Sequence, residues 1–144
     1  MQVKDSMRTH VMTVAPDTLV STAYQLMTMR ASRIRHLPVV TRHNVLVGML
    51  SDRDVRLAAA SDAPSMAEHE LLSVLKKLRV QNIMTREVVT VRGTTSREEA
   101  GQLFLQRKFG CLPVVDDDNR LEGILTISDL LRVYVAQHDT GREV

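Results

Sequence analysis

Leu37-Pro38-Val39-Val40, followed by Gly48-Met49-Leu50-Ser51-Asp52-Arg53-Asp54, recurs 75 positions later as Leu112-Pro113-Val114-Val115 and Gly123-Ile124-Leu125-Thr126-Ile127-Ser128-Asp129. At the same offset Asn44 meets Asn119 and Leu46 meets Leu121. Upstream the offset is 77: Met7 meets Met84, Val11 meets Val88, Thr13 meets Thr90, Val14 meets Val91 and Ala23 meets Ala100. The change of offset places two extra residues of the first copy within 29–35. A matched series this long, in order and with one small gap, is an internal duplication rather than a chance tetrapeptide.

Each copy reads as β-α-β-β-α. Residues 11–14 and 88–91 are Thr/Val-rich and predict a short opening strand. Ala23, Leu26, Met27 and Arg30, and likewise Ala100, Leu103, Phe104 and Arg107, have helical spacing. Thr18 or Ser21 starts the first of these helices, and Ser96 with Glu99 predicts a capping box for the second. The Leu-Pro-Val-Val strand follows, with proline expected at its start. Arg42-His43-Asn44 and Asp117-Asp118-Asn119 predict hairpin turns, because Asn tolerates the left-handed conformation. A second strand over 45–50 or 121–125 leads to a final helix capped by Ser51 or Thr126. Between the copies, Leu71, Leu72, Leu75 and Leu78 oppose Glu68, Glu70, Lys76 and Lys77, which predicts an amphipathic linker helix within 64–79. The organisation expected is repeat 1 over 1–62, the linker helix over 63–80, repeat 2 over 81–137 and a tail over 138–144.

Composition limits what such a chain does. It has 144 residues, 44% hydrophobic and 25% charged, as an ordinary globular protein has. Lys and Arg number 19 against 17 Asp and Glu, so the net charge of +2 gives no strong field for nucleic acid. The aromatics are Tyr24, Phe104, Phe109 and Tyr134, with no Trp, so a base-stacking platform is missing. Arg30, Arg33, Arg35 and Arg42 form a minor basic patch at most. Cys111 is the single cysteine, which excludes an internal disulfide and reads as a reducing, cytoplasmic setting. No apolar run approaches the roughly 20 residues of a membrane span, and no apolar leader opens the chain. The five histidines show no metal-ligand spacing. Asp116-Asp117-Asp118-Asn119 lacks the Gly and distal Glu of a calcium loop. No phosphate-loop or dinucleotide glycine motif occurs, and no nucleophile–base order suggests a hydrolase.

The chemistry that remains is Ser/Thr-x-x-Asp at a helix start, present twice. An ionised carboxylate accepts only, and a ribose offers two adjacent hydroxyl donors. The Ser51 or Thr126 hydroxyl and the free N–H groups of the helix start suit a phosphate. The same residues also make an ordinary helix cap, which on an isolated helix is the commoner meaning.

From Met7 to about Val135 the chain resembles a CBS-domain pair (named from cystathionine β-synthase), also called a Bateman module. The resemblance rests on the doubled Leu-Pro-Val-Val and Gly-x-x-Ser/Thr-x-x-Asp patterns. It implies tandem β-α-β-β-α repeats of mixed α/β (α+β) class, packed with pseudo-twofold symmetry. It further implies two clefts for adenosyl ligands, a homodimer of pairs, and a regulatory role toward an unidentified protein partner. By resemblance one cleft uses Ser51 and Asp54 with Thr85, Val89, Phe109 and Gly110. The other uses Thr126 and Asp129 with Met12, Ile34 and Arg35. The expectation is therefore a non-enzymatic module that requires no cofactor and binds AMP, ADP or ATP as a regulatory ligand. The alternative is a structural dimerisation module with empty clefts. This chain departs from the pattern where Arg8 stands in the place of Thr85, and Arg35-His36 in the place of Gly110-Cys111. Those departures make the Asp129 cleft more basic, with Arg8, Arg33 and Arg35 as phosphate partners or as solvated surface groups. Arg53 reads either as a phosphate partner or as an ion-pair partner of Asp52.

Overall fold

A computed structural model describes residues 1–28, 34–59 and 68–139. Two compact units divide the chain: residues 12–88 form one, and residues 1–11 with 89–144 form the other. Arg30, Arg33, the expected insertion and the ends of repeat 1 and of the tail lie wholly or partly outside the described residues.

The unit over 12–88 is built on an antiparallel hairpin of β1 (His36–Val40) and β2 (Leu46–Ser51). Its turn carries Asn44 at φ 66°, the left-handed conformation that Asn was expected to supply. Helices α1 (Val20–Thr28) and α2 (Asp52–Ala59) flank the hairpin in sequence. The linker contributes α3 (Glu68–Leu75), and Leu75 is fully buried while Lys76 and Lys77 stay exposed. That is the burial an amphipathic linker should show. A four-residue helix α4 (Val80–Ile83) follows. Leu37, Leu50, Leu75, Val20 and Val80 meet in one aliphatic core together with Met27 and Met84.

The other unit repeats this plan with β3 (Cys111–Val115), β4 (Leu121–Thr126), α5 (Arg97–Arg107) and α6 (Ile127–His138). Asn119 closes its hairpin at φ 61°. Its core gathers Leu112, Val114, Leu125, Ala100 and Phe104, together with Val3 from the N-terminal segment. Both hairpins carry a register shift at the same place, between Val39 and Val40 and between Val114 and Val115.

Each unit borrows its edge from the opening of the other repeat. Thr85 and Met49 exchange backbone bonds of 2.9 Å in one unit, and Arg8 and Ile124 do the same in the other. Val80 N donates to Thr18 O at 2.8 Å, and Val3 N donates to Thr95 O at 2.8 Å. All of these pairs correspond across the duplication.

Four local expectations need correction. Residues 11–14 and 88–91 are not strands: Val14 makes a single parallel bridge to Val39, and Val91 one to Val114. Val14 N donates to Pro38 O and Val40 N donates to Val14 O. Extending that ladder needs an N–H at Pro38 on one side and at Pro16 on the other, and neither exists. In the second copy Pro113 stops the ladder on one side, while Gly93 stands in the place of Pro16. Pro38 and Pro113 therefore sit in mid-strand, not at its start, with the N–H-less edge turned toward the one-residue bridge. The first helix begins at Val20 rather than at Thr18 or Ser21; the Thr18 hydroxyl instead accepts from Ala15 N at 3.1 Å. Ser96 caps α5 by accepting from Glu99 N at 3.1 Å, without the reciprocal half of a capping box.

Candidate functional site

The two Ser/Thr-x-x-Asp motifs fall where a hairpin strand turns into a helix. Ser51 ends β2 and Asp54 lies in the first turn of α2. Asp54 N donates to Ser51 Oγ at 3.0 Å, and Ser51 N donates to Asp54 Oδ2 at 2.9 Å. This reciprocal cap fixes the Asp54 side chain, because both ends of the turn are satisfied at once. The other carboxylate oxygen, Oδ1, has no hydrogen-bond partner among the described residues. Asp54 is half-buried, and exposed Thr85 is joined to the neighbouring strand through Met49. Ser51, Asp54 and Thr85 thus share one unit. Asp52 pairs with Arg56 at 3.6 Å, not with Arg53.

The close seat of the Thr85 segment depends on Gly48. A Cβ there would lie 2.5 Å from Met84 Sδ and 3.0 Å from Thr85 O. Gly123 has the same task, where a Cβ would lie 2.6 Å from Arg8 O. The motif glycine is thus the groove into which the borrowed segment fits.

At the second motif the cap repeats, with further bonds added. Thr126 N donates to Asp129 Oδ2 at 2.8 Å and the Thr126 hydroxyl donates to the same oxygen at 2.9 Å. Asp129 N donates to Thr126 Oγ1 at 3.3 Å. Arg8 Nε reaches Asp129 Oδ1 at 3.1 Å, and Arg132 Nη1 reaches it at 3.0 Å. Asp129 is 1% exposed, against 57% and 63% for the two arginine side chains. Burial alone would raise the Asp129 pKa. The Thr126 backbone N–H, Arg8, the Thr126 hydroxyl and Arg132 outweigh it and hold the carboxyl below its ordinary range.

The other residues expected at the two sites divide between the units. Met12, Ile34 and Arg35 belong to the unit of Asp54; Val89, Phe109 and Gly110 belong to the unit of Asp129. Met12 and Ile34 pack against the aliphatic core of their own unit, as Val89 and Phe109 do in theirs. Arg35 and Gly110 are exposed. Sequence reasoning missed Arg132 altogether. The signal was there: an arginine three residues beyond an acid on one helix face can pair with it. The sequence aligns Arg8 with Thr85 and carries no local sign of its pairing with Asp129, 121 positions away.

His36 stands beside the first motif, opposite Ser51 in the β ladder. Burial lowers its pKa, while Asp52 and Asp54 pull the other way and Arg35 adds to the lowering. Cys111, the corresponding residue opposite Thr126, has its thiol pushed up to about 12 by burial, with Asp129 adding to the shift. Among the described residues no group of three His, Cys, Asp or Glu is placed to hold a metal, and no helix is long and apolar enough to cross a membrane.

Comparison with known proteins places this geometry. An inosine-5'-monophosphate dehydrogenase of Methanocaldococcus jannaschii is 36% identical over 122 residues, which are 85% of this chain and 21% of that enzyme. The chain therefore spans about a fifth of that relative. A CBS domain-containing protein of Dictyostelium discoideum is 36% identical over 135 residues, 92% of this chain and 90% of that protein. Among solved structures, Arabidopsis thaliana CBSX2 in complex with AMP is 33% identical with a TM-score of 0.78, covering 94% of this chain and 97% of that one. The CBS domain pair of MJ0100, in complex with 5'-methylthioadenosine and S-adenosyl-L-methionine, is 26% identical with a TM-score of 0.77, covering 95% and 98%. The CBS domain family model matches residues 3–61 and again 80–136, which takes in both borrowed edges and both carboxylate motifs. The chain belongs to the CBS-domain family as a tandem pair of repeats.

Proposed function

We propose that this chain is a regulatory module, without catalytic activity of its own, that binds an adenine nucleotide or a related adenosyl ligand and passes metabolite state to a protein partner. The observation that carries this reading is the state of Asp54. One carboxylate oxygen closes its own helix cap, and the other is held in place with no hydrogen-bond partner among the described residues. A preorganised, acceptor-only oxygen suits the vicinal hydroxyls of a ribose. At the start of α2, Asp52 N donates to Arg35 O at 3.0 Å and Asp54 N to Ser51 Oγ, which leaves the Arg53 N–H of this turn for a phosphate. Support also comes from the related pairs, one solved with AMP and one with two adenosyl compounds.

Isothermal titration with AMP, ADP, ATP and S-adenosylmethionine tests the proposal. Saturable binding of at least one of them, weakened in Asp54→Asn by roughly ten- to a hundredfold, is the expected result. Absence of binding by all four overturns it.

One surface favours an additional reading, assembly into a homodimer. Ile127, Leu131, Tyr134 and Val135 of α6 are each at least half exposed and recur at helical spacing. Sedimentation equilibrium of the wild type and of Leu131→Asp checks this: a dimer weakened by the substitution is expected, and a monomer at all concentrations would remove the reading.

A further inference from the structure

The two motif carboxylates come from the same sequence pattern and stand in different states. A carboxylate offers about four lone-pair sites. At Asp129 four donors fill them: Thr126 N and the Thr126 hydroxyl on Oδ2, Arg8 and Arg132 on Oδ1. At Asp54 a single donor among the described residues, Ser51 N, takes one site on Oδ2. The difference traces to two positions of the duplication. Arg8 stands where the other repeat has Thr85, and Arg132 stands where it has Leu57. Both arginines converge on the oxygen whose counterpart at Asp54 is open.

We propose that Arg8 and Arg132 close the Asp129 carboxylate to ribose-bearing ligands, so that the chain has one strong adenosyl site, at Asp54. The inference rests on the adenosyl-binding reading above and assigns the two motifs unequal parts in it. Hydroxyls arriving at Asp54 displace no protein donor from Oδ1 among the described residues and exchange only with solvent. At Asp129 each new bond displaces a charge-assisted one from a guanidinium, so little is gained. The Arg8 backbone is paired with Ile124 in both directions at 2.9 Å, which anchors its side chain within reach of Asp129. Arg132 is fixed to the same helix as the acid, three residues on.

The decisive experiment is calorimetric titration with ATP and with AMP of the wild type, Asp54→Asn and the double variant Arg8→Thr/Arg132→Leu, which copies the other repeat. One ligand per chain is expected for the wild type, with at least tenfold weaker binding in Asp54→Asn. The double variant is expected to gain a second site of comparable affinity. Arg132→Leu alone, at an exposed helix position, serves if the double variant is poorly folded, and should show a second, weaker binding event that the wild type lacks. Two equal sites in the wild type overturn the inference, as does a well-folded double variant that still binds only one ligand. Binding by the double variant but not by the wild type would keep the closing role of the arginines and remove the proposed site at Asp54. No binding by any variant would remove both.

Discussion

Arg8 and Ile124 are joined by two backbone hydrogen bonds of 2.9 Å, one in each direction. A residue near the start of the first repeat is thereby the edge of the second repeat's sheet. Thr85 and Met49 are joined in the same way, so each repeat's hairpin is completed by the opening of the other. The motif glycines sit directly under these edges, and substitution there tests the exchange.

Gly123→Ala should destabilise more than Gly48→Ala. At Gly123 a new methyl meets the Arg8 carbonyl oxygen at 2.6 Å, so the backbone must move. At Gly48 its nearest contact is the flexible thioether of Met84, with Thr85 O at 3.0 Å. Overpacking of this kind costs about 1–3 kcal/mol. Urea denaturation of both variants checks the order, and equal midpoints would contradict it.

Asp129→Asn should lower stability at neutral pH and flatten its dependence on acid. The folded carboxyl titrates below its ordinary range, so the unfolded chain binds the proton more tightly. The stabilisation is therefore complete above the unfolded pKa of about 4 and is lost as pH falls through the folded value. The two guanidiniums are more than half exposed, which discounts the ion pairs, so the loss at pH 7 should be on the order of 1–3 kcal/mol. Thermal melts from pH 7 to pH 3 are the measurement. Parallel curves for wild type and variant would show that Asp129 does not carry this acid sensitivity.

His36 should give a second, earlier loss of stability on acidification. Burial lowers its folded pKa, so protonation favours the unfolded chain as pH falls from about 6.5 toward the folded value. His36→Gln should reduce the change in melting temperature between pH 7 and pH 5. Its imidazole signals, followed by NMR titration, should give a pKa below 6.5; a higher value would refute the direction.

Cys111 should be inert in the folded chain. Its thiol is buried and its pKa is pushed up to about 12, so the reactive thiolate is nearly absent at pH 8. Ellman's reagent should label it at the rate of unfolding, accelerating in denaturant. Fast labelling of the native protein would show that the site is open.

Much of the fold was legible in the chain because it rests on short-range rules. The duplication, the hairpins with left-handed Asn44 and Asn119, the Ser51 and Thr126 caps and the amphipathic linker all follow from spacing and residue type. Even the reduction of residues 11–14 to one bridge was written in Pro16 and Pro38, whose missing N–H groups forbid a longer ladder. What those residues pair with was not written locally. That Arg8 belongs to the Ile124 edge, and that its guanidinium reaches Asp129 across 121 positions, depends on the closing of the chain on itself. Ser51-x-x-Asp54 and Thr126-x-x-Asp129 are therefore alike as sequence and unlike as chemistry. Spacing and residue type alone set two like helix caps; the tertiary structure decided which carboxylate keeps an oxygen without a partner among the described residues, because long-range pairing delivers an arginine to one motif and a threonine to the strand beside the other.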